Sequence, residues 1–172
     1  KVTIVAKDRF PWSVNFASDN IGTTRFGFTN QNILGSGNEA SYGYLRNQYE
    51  VPQQGYDASY TMRNIDDTFI DGTVYVSDNF NGRTRGVSVK KDFVSPTIKY
   101  YGEGTVEHAQ PIEDLEFADS LYEKDFRIER TTYDFWGARA FLIGERRNIS
   151  GALRLRHDNF SDRPAVQADS NT

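Results

Sequence analysis

Short segments of the chain alternate apolar and polar side chains, and turn residues separate these segments. In the clearest case, residues 56–63, Tyr56, Ala58, Tyr60 and Met62 alternate with Asp57, Ser59, Thr61 and Arg63. Successive side chains of a strand point to opposite faces, so this segment predicts a strand with one apolar and one polar face. About ten such segments follow one another, and Asn81-Gly82 is the strongest hairpin signal between them. The pattern predicts an all-β protein with antiparallel strands in simple up-and-down order.

The alternation lapses between residues 108 and 124, which form an acidic stretch that contains Pro111. We expect the one long loop of the protein there, and no other segment could hold a short helix. If the strand beginning at Trp12 runs upward, this loop lies on the upper side. Outer-membrane barrels carry short turns on one side and longer loops on the other, so the placement favours a barrel.

The composition allows two kinds of all-β protein. The 172 residues suffice for one domain, and no stretch approaches the ~18 continuous apolar residues of a transmembrane helix. The mean hydropathy of -0.66 is compatible with a membrane barrel, because each spanning strand alternates lipid-facing and lumen-facing residues. The 12 Phe and 10 Tyr suit strands in general, and they also suit the aromatic girdles of such barrels.

Charge and residue chemistry argue against catalysis. The formal net charge is -4 and no basic run indicates nucleic-acid binding. The chain has no cysteine, and His108 and His157 lack the spacing of metal ligands. A GxSxG nucleophile motif and a glycine-rich phosphate loop are also absent from the sequence. We expect a protein that is not an enzyme and that needs no metal or cofactor.

Charged residues recur inside the alternating segments, where they require water or an opposite charge. They are Arg25, Arg46, Arg63, Arg127, Arg130, Arg154, Arg156, Glu103, Glu107, Glu129 and Glu145. They would form the outer faces of a soluble sandwich or the lumen of a wide barrel. The pattern alone leaves both readings open.

Several motifs are similar to one family of outer-membrane proteins. The run VTIVAKDRFPWSVNF resembles the exit from a last POTRA domain into a first barrel strand. Asn32, Leu34, Gly35 and Gly37 match an Asn-Leu-Gly-x-Gly turn between the second and third strands. The segment beginning YTMRNIDD resembles the strands that follow in proteins of Bacteroidota, and DFWGARAF resembles a later turn. On these motifs the chain resembles the Omp85 superfamily of BamA-like proteins and two-partner-secretion transporters.

The resemblance implies a domain organisation. Residues 1–9 would end a preceding periplasmic, POTRA-like segment, and residues 161–172 would form a loop or tail. Residues 10–160 would supply the N-terminal strands, about ten, of a transmembrane β-barrel of the sixteen-strand type.

The resemblance also implies a role at the outer membrane of a Gram-negative bacterium, where the barrel inserts or translocates proteins without ATP or metal. Its partners would be outer-membrane lipid, client outer-membrane or secreted proteins, and periplasmic proteins or lipoproteins. Trp12, Val14 and Phe16 would lie on the first strand, at a lateral seam that admits a client strand. A polar lumen face would include Arg25, Arg63, Glu103, Arg154 and Arg156.

Two other classes fit the pattern. A small self-closed or soluble barrel that binds an apolar ligand, as lipocalins do, would place its aromatic residues inside and its charges outside. A glycan-binding or hydrolytic sandwich would use Trp12 or Trp136 together with paired carboxylates. Whether extraction of the protein requires detergent separates the first class from the membrane barrel.

Overall fold

The strands form a single antiparallel sheet in sequence order. The structure, a computed structural model, describes residues 10–19, 22–93, 99–115, 124–143 and 147–162. The strands are Trp12–Ser18 (β1), Thr23–Asn30 (β2), Glu39–Asn47 (β3), Gln54–Met62 (β4), Ile70–Asn79 (β5), Gly82–Lys91 (β6), Tyr100–Leu115 (β7), Lys124–Arg127 (β8), Glu129–Ile143 (β9) and Arg147–Asp162 (β10). Nine of these strands pair in the order β1-β2-β3-β4-β5-β6-β7-β9-β10. The short strand β8 lies off this order and, among the described residues, pairs only with β7, just before β9 begins. The predicted all-β, up-and-down fold is confirmed.

The predicted long loop at residues 108–124 is wrong for most of its length. β7 continues to Leu115 and the paired strand resumes at Lys124, so only residues 116–123 of that stretch lie outside the described part. The carbonyl of Pro111 accepts a hydrogen bond from the Ile128 amide at 3.2 Å. Proline has no amide proton, so Pro111 cannot donate a second hydrogen bond to the opposite strand. The missing bond coincides with the one-residue break at Ile128 between β8 and β9.

The two hairpins β2–β3 and β4–β5 turn in the same way. Asn32 Oδ1 accepts the Gly37 amide at 2.7 Å, and Asn64 Oδ1 accepts the Phe69 amide at 2.8 Å. A hydroxyl in each turn donates to the carbonyl three residues earlier at 2.6 Å. Both turns hold a 3-10 segment, Ile33–Gly35 or Ile65–Asp67, and the flanking strands pair in the same register 32 residues apart. The predicted Asn32, Leu34, Gly35 and Gly37 turn therefore has a second copy.

The described part of the chain has almost no core. Ala109 and Ala138 are its only buried hydrophobic residues, and no large side chain in it is fully buried. The accessible surface is 13796 Å², whereas a compact monomer of 19.6 kDa exposes roughly 8,600 Å². No second layer of described residues covers either face of the sheet.

Among the described residues, no helix is long and apolar enough to cross a membrane. The segment predicted to precede the barrel, residues 1–9, lies outside the described residues, as do residues 163–172 of the predicted tail. β10 runs to Asp162, two residues beyond the predicted end of the strands at residue 160.

Candidate functional site

One face of the sheet carries an apolar belt that crosses all nine strands of the main order, β1 to β7, β9 and β10. Its members, which are called the belt below, are Trp12, Val14, Phe16, Phe26, Phe28, Ala40, Tyr42, Tyr44, Tyr56, Ala58, Tyr60, Met62, Val74, Val76, Val87, Val89, Val106, Tyr133, Phe135, Phe141, Ile149, Leu153 and Leu155. Most of these side chains are strongly exposed, from 39% at Val76 to 70% at Phe16. The belt is thus an uncovered apolar surface far larger than a soluble monomer exposes.

The belt crosses the strands obliquely. On β1 to β4 the upper limit of the belt is one register row, which runs from Phe16 to Tyr56. On β10 the upper limit is Leu155. The register row of Leu155 crosses β4 at Met62 and not at Tyr56. The limit therefore descends six residues along β4, which is roughly 20 Å. The lower limit descends from Trp12 to Ile149, about 27 Å by the same rise per residue. Across eight inter-strand steps of ~4.8 Å, these descents incline the belt by about 30° to the register rows.

Polar residues on the same face begin immediately above the belt. They include Arg46, Asp78, Arg83, Arg85, Gln110, His108, Glu129 and Thr131. The prediction that Arg46 and Glu129 share the face of the other strand charges is therefore wrong. Both lie above the belt limit, where alternation continues but the residue types change. The side chains of Arg127 and Glu145, predicted to share that face, lie outside the described residues.

The opposite face is polar and joined across strands. Hydroxyl pairs link Ser41 to Ser59 at 2.7 Å and Thr61 to Thr73 at 3.0 Å. The Thr132 hydroxyl donates to Asp158 at 2.6 Å. Such links satisfy polar side chains along the length of the sheet.

All five residues predicted for the polar lumen face lie on this polar face. Arg25 pairs with Asp57 at 3.2 Å and Arg63 pairs with Glu39 at 2.6 Å. Arg154 binds both oxygens of Asp134, with Nε 2.8 Å from Oδ1, and Arg156 binds Asp158 at 3.1 Å. Glu103 pairs in register with Trp136 and lines a depression with Asp134 and Arg154.

The seam residues Trp12, Val14 and Phe16 lie on an edge. β1 bonds only to β2, and β10 bonds only to β9, so each strand has one edge without a partner among the described residues. β1 and β10 are the first and ninth strands of an alternating series, so they run in the same direction. β1 has 7 residues and β10 has 16, so a direct β1–β10 pairing would leave more than half of β10 unmatched.

Sequence reasoning missed the carboxylate partners of the arginines and the hydroxyl pairs between strands, since alternation identifies a face but not the neighbour across it. No cluster of three or more His, Asp or Glu side chains suited to a metal occurs in the ranges that the structure describes. No protein-family model matches the chain, and neither a curated protein nor a solved structure does.

Proposed function

We propose that the chain forms part of the wall of a transmembrane β-barrel in the outer membrane of a Gram-negative bacterium. The belt would face lipid and the polar face would line a water-filled lumen. The observation that carries the proposal is the obliquity of the belt. Strands of membrane barrels tilt ~35–45° from the membrane normal, so an apolar band of constant height must cross their register rows at a similar angle.

The distribution of charge supports the same assignment. The ion pair Arg154–Asp134 lies on the polar face within the height of the belt, and the ion pair Arg25–Asp57 lies on the same face at the upper limit of the belt. Charges on the belt side begin above its limit, apart from Lys91 and Arg139 near its lower limit. Arg139 stacks there between the rings of Tyr100 and Phe141, at 5.3 and 4.8 Å from their centroids. Aromatic and basic residues of this kind anchor barrels at the membrane interface.

The edges support a barrel that further strands complete. Because β1 and β10 run in the same direction, an all-antiparallel barrel needs an odd number of additional strands between them. A sixteen-strand barrel of the Omp85 type would add seven. This geometry counts against a self-closed, lipocalin-like barrel built from these nine strands alone.

For the role of the barrel we propose insertion or translocation of proteins at the outer membrane, through a seam at β1. Two features support it: the resemblance to Omp85 proteins, and the short β1 edge, whose amide and carbonyl groups need a partner inside a membrane. A client strand could satisfy those groups by β-augmentation, which requires no catalytic residue.

The two tryptophans test the membrane assignment. Trp12 belongs to the belt and Trp136 to the polar face. With Trp136→Phe, the remaining Trp12 fluorescence should be quenched strongly by brominated phospholipid. With Trp12→Phe, the remaining Trp136 should respond to aqueous iodide and little to brominated lipid. Equal quenching of both by iodide, with none by lipid, would point instead to a soluble protein.

The seam is tested by disulfide crosslinking, which the absence of native cysteine makes clean. Phe16→Cys should crosslink to a cysteine-bearing strand of an outer-membrane protein arrested during assembly. Tyr42→Cys, on the same face but on β3, which is paired on both sides, is the matched control. Equal yields at the two positions would argue against a seam at β1.

A further inference from the structure

A depression on the belt side of the sheet marks the point where the belt ends on β4 to β7. Its lining includes Tyr56, Val76, Asp78, Arg83, Arg85 and His108. The first two belong to the belt and the other four lie above it. The cavity volume of 430 Å³ falls within the ~300–1,000 Å³ typical of small-molecule sites. An apolar floor below and a polar rim above would suit an amphipathic ligand.

The charged groups of the depression leave one cation without a partner. Arg83 pairs with Asp78 at 2.8 Å. His108 lies 3.1 Å from the Thr131 hydroxyl and 3.4 Å from Glu129. Arg85 stands between Val76 and His108 in the register and makes no hydrogen bond or ion pair with any described residue. The formal charges of Asp78, Arg83 and Arg85 sum to one positive charge, which belongs to Arg85.

We propose that this depression binds the anionic headgroup of a membrane lipid, with the phosphate at Arg85. The inference rests on the proposed membrane position of the belt and adds a specific ligand to it. A guanidinium donates two parallel hydrogen bonds to a phosphate, and such charge-assisted pairs are strong. The phosphate layer of a bilayer lies where the apolar band of a barrel ends, which is the height of Arg85. The acyl chains would extend downward over Val76 and Val87.

The depression, rather than the arginine alone, defines the site. Arg46 also lies directly above the belt, on β3, and has no ion pair to a described residue. It does not line this depression and has no basic neighbour in its register row. Arg46→Gln is therefore a matched control for Arg85→Gln: both remove one arginine from the same face at a similar height above the belt.

Lipid titration measures the site. The full protein, extracted from its membrane in a mild detergent, is titrated with phosphatidylglycerol or phosphatidylcholine, and bound lipid is counted by native mass spectrometry. We expect one phosphatidylglycerol to bind with clear preference over phosphatidylcholine. Arg85→Gln should weaken that binding roughly tenfold, the scale of one charge-assisted contact, and Arg46→Gln should leave it unchanged.

Three results would overturn the proposal. They are equal losses in the two variants, no preference for the anionic lipid, or displacement of the lipid by inorganic phosphate at matching concentration, which would indicate a site for soluble anions. The Trp12 response to brominated lipid, measured on the same samples, separates these results from a failure of the membrane assignment. If Trp12 is quenched by lipid while Arg85→Gln has no effect, the membrane assignment of the belt is supported and the lipid site at Arg85 is wrong.

Discussion

The Tyr75 hydroxyl on β5 donates a 2.8 Å hydrogen bond to Glu107 Oε2 on β7, across the whole width of β6. Gly86 is the β6 residue between them in the register. A Cβ at Gly86 would collide with the Tyr75 hydroxyl. The phenol therefore lies flat over a glycine to reach the carboxylate, and three strands of the polar face are joined by one side-chain bond.

Gly86→Ala should break this bridge. The new methyl group displaces the Tyr75 hydroxyl, and the loss of a hydrogen bond to a charged group costs about 1–2 kcal/mol. Denaturant unfolding in detergent micelles measures the free-energy change. Gly151→Ala is the control, because a Cβ there meets no atom within 4 Å. If both variants change the free energy of unfolding alike, the bridge contributes nothing.

Neighbouring residues on β6 should respond differently to an introduced charge. Val89 belongs to the belt, midway between its upper and lower limits, and Ser88 belongs to the polar face. Val89→Arg should destabilise the protein in bilayers by ~2–4 kcal/mol, the cost of a lipid-facing arginine near the midplane. Ser88→Arg should change stability by much less, because its side chain points to water. Similar losses for the two variants, measured by urea unfolding in phospholipid vesicles, would contradict the assignment of faces.

The first of the two repeated turns should be improved by asparagine. Leu34 has a φ of 51° and a fully exposed side chain, so the protein holds a leucine in the left-handed region without packing it. Asparagine adopts that region more readily, so Leu34→Asn should stabilise the fold by about 0.5–1 kcal/mol. Tyr49→Asn, at another exposed loop position whose φ is not positive, should not. A thermal or urea transition that moves equally in both variants would contradict this explanation.

Local periodicity predicted the strands and their faces well. The alternation of Tyr56 and Met62 with Asp57 and Arg63 is confirmed by the register of β4 with its neighbours. The Asn81-Gly82 hairpin is also confirmed, with Asn79 paired to Gly82 and Gly82 at a φ of 113°. These features depend on residues close together in the chain, so the sequence contains them.

Features that depend on pairing between strands could not be predicted in the same way. The obliquity of the belt emerges only when Tyr56 and Leu155 are placed on their register rows, and alternation within one strand does not set that register. The sequence predicts a loop at Pro111 because prolines are rare inside sheets, whereas in the structure the missing amide proton of Pro111 falls at the break at Ile128.

The similarity of the two turns is visible in the sequence itself. Asn-Ile-x-x-Ser and Asn-Ile-x-x-Thr, beginning at Asn32 and Asn64, recur 32 residues apart. A search for internal repeats would have predicted two turns of one kind. Two strands lie between these turns, so the spacing equals one full hairpin repeat.

The most direct test of the account is a depth scan with spin labels at single cysteines, comparing relaxation by oxygen with relaxation by a water-soluble nickel complex. One series follows the oblique belt: Phe16, Tyr42, Val74, Phe135 and Leu153. The other follows one register row: Val14, Tyr42, Val76, His108 and Asn159. If the belt faces lipid, the first series stays at one depth inside the lipid, and the second rises from lipid into water between Val76 and Asn159. Constant depth along the register row, or access to nickel at every position of both series, would contradict the central claim.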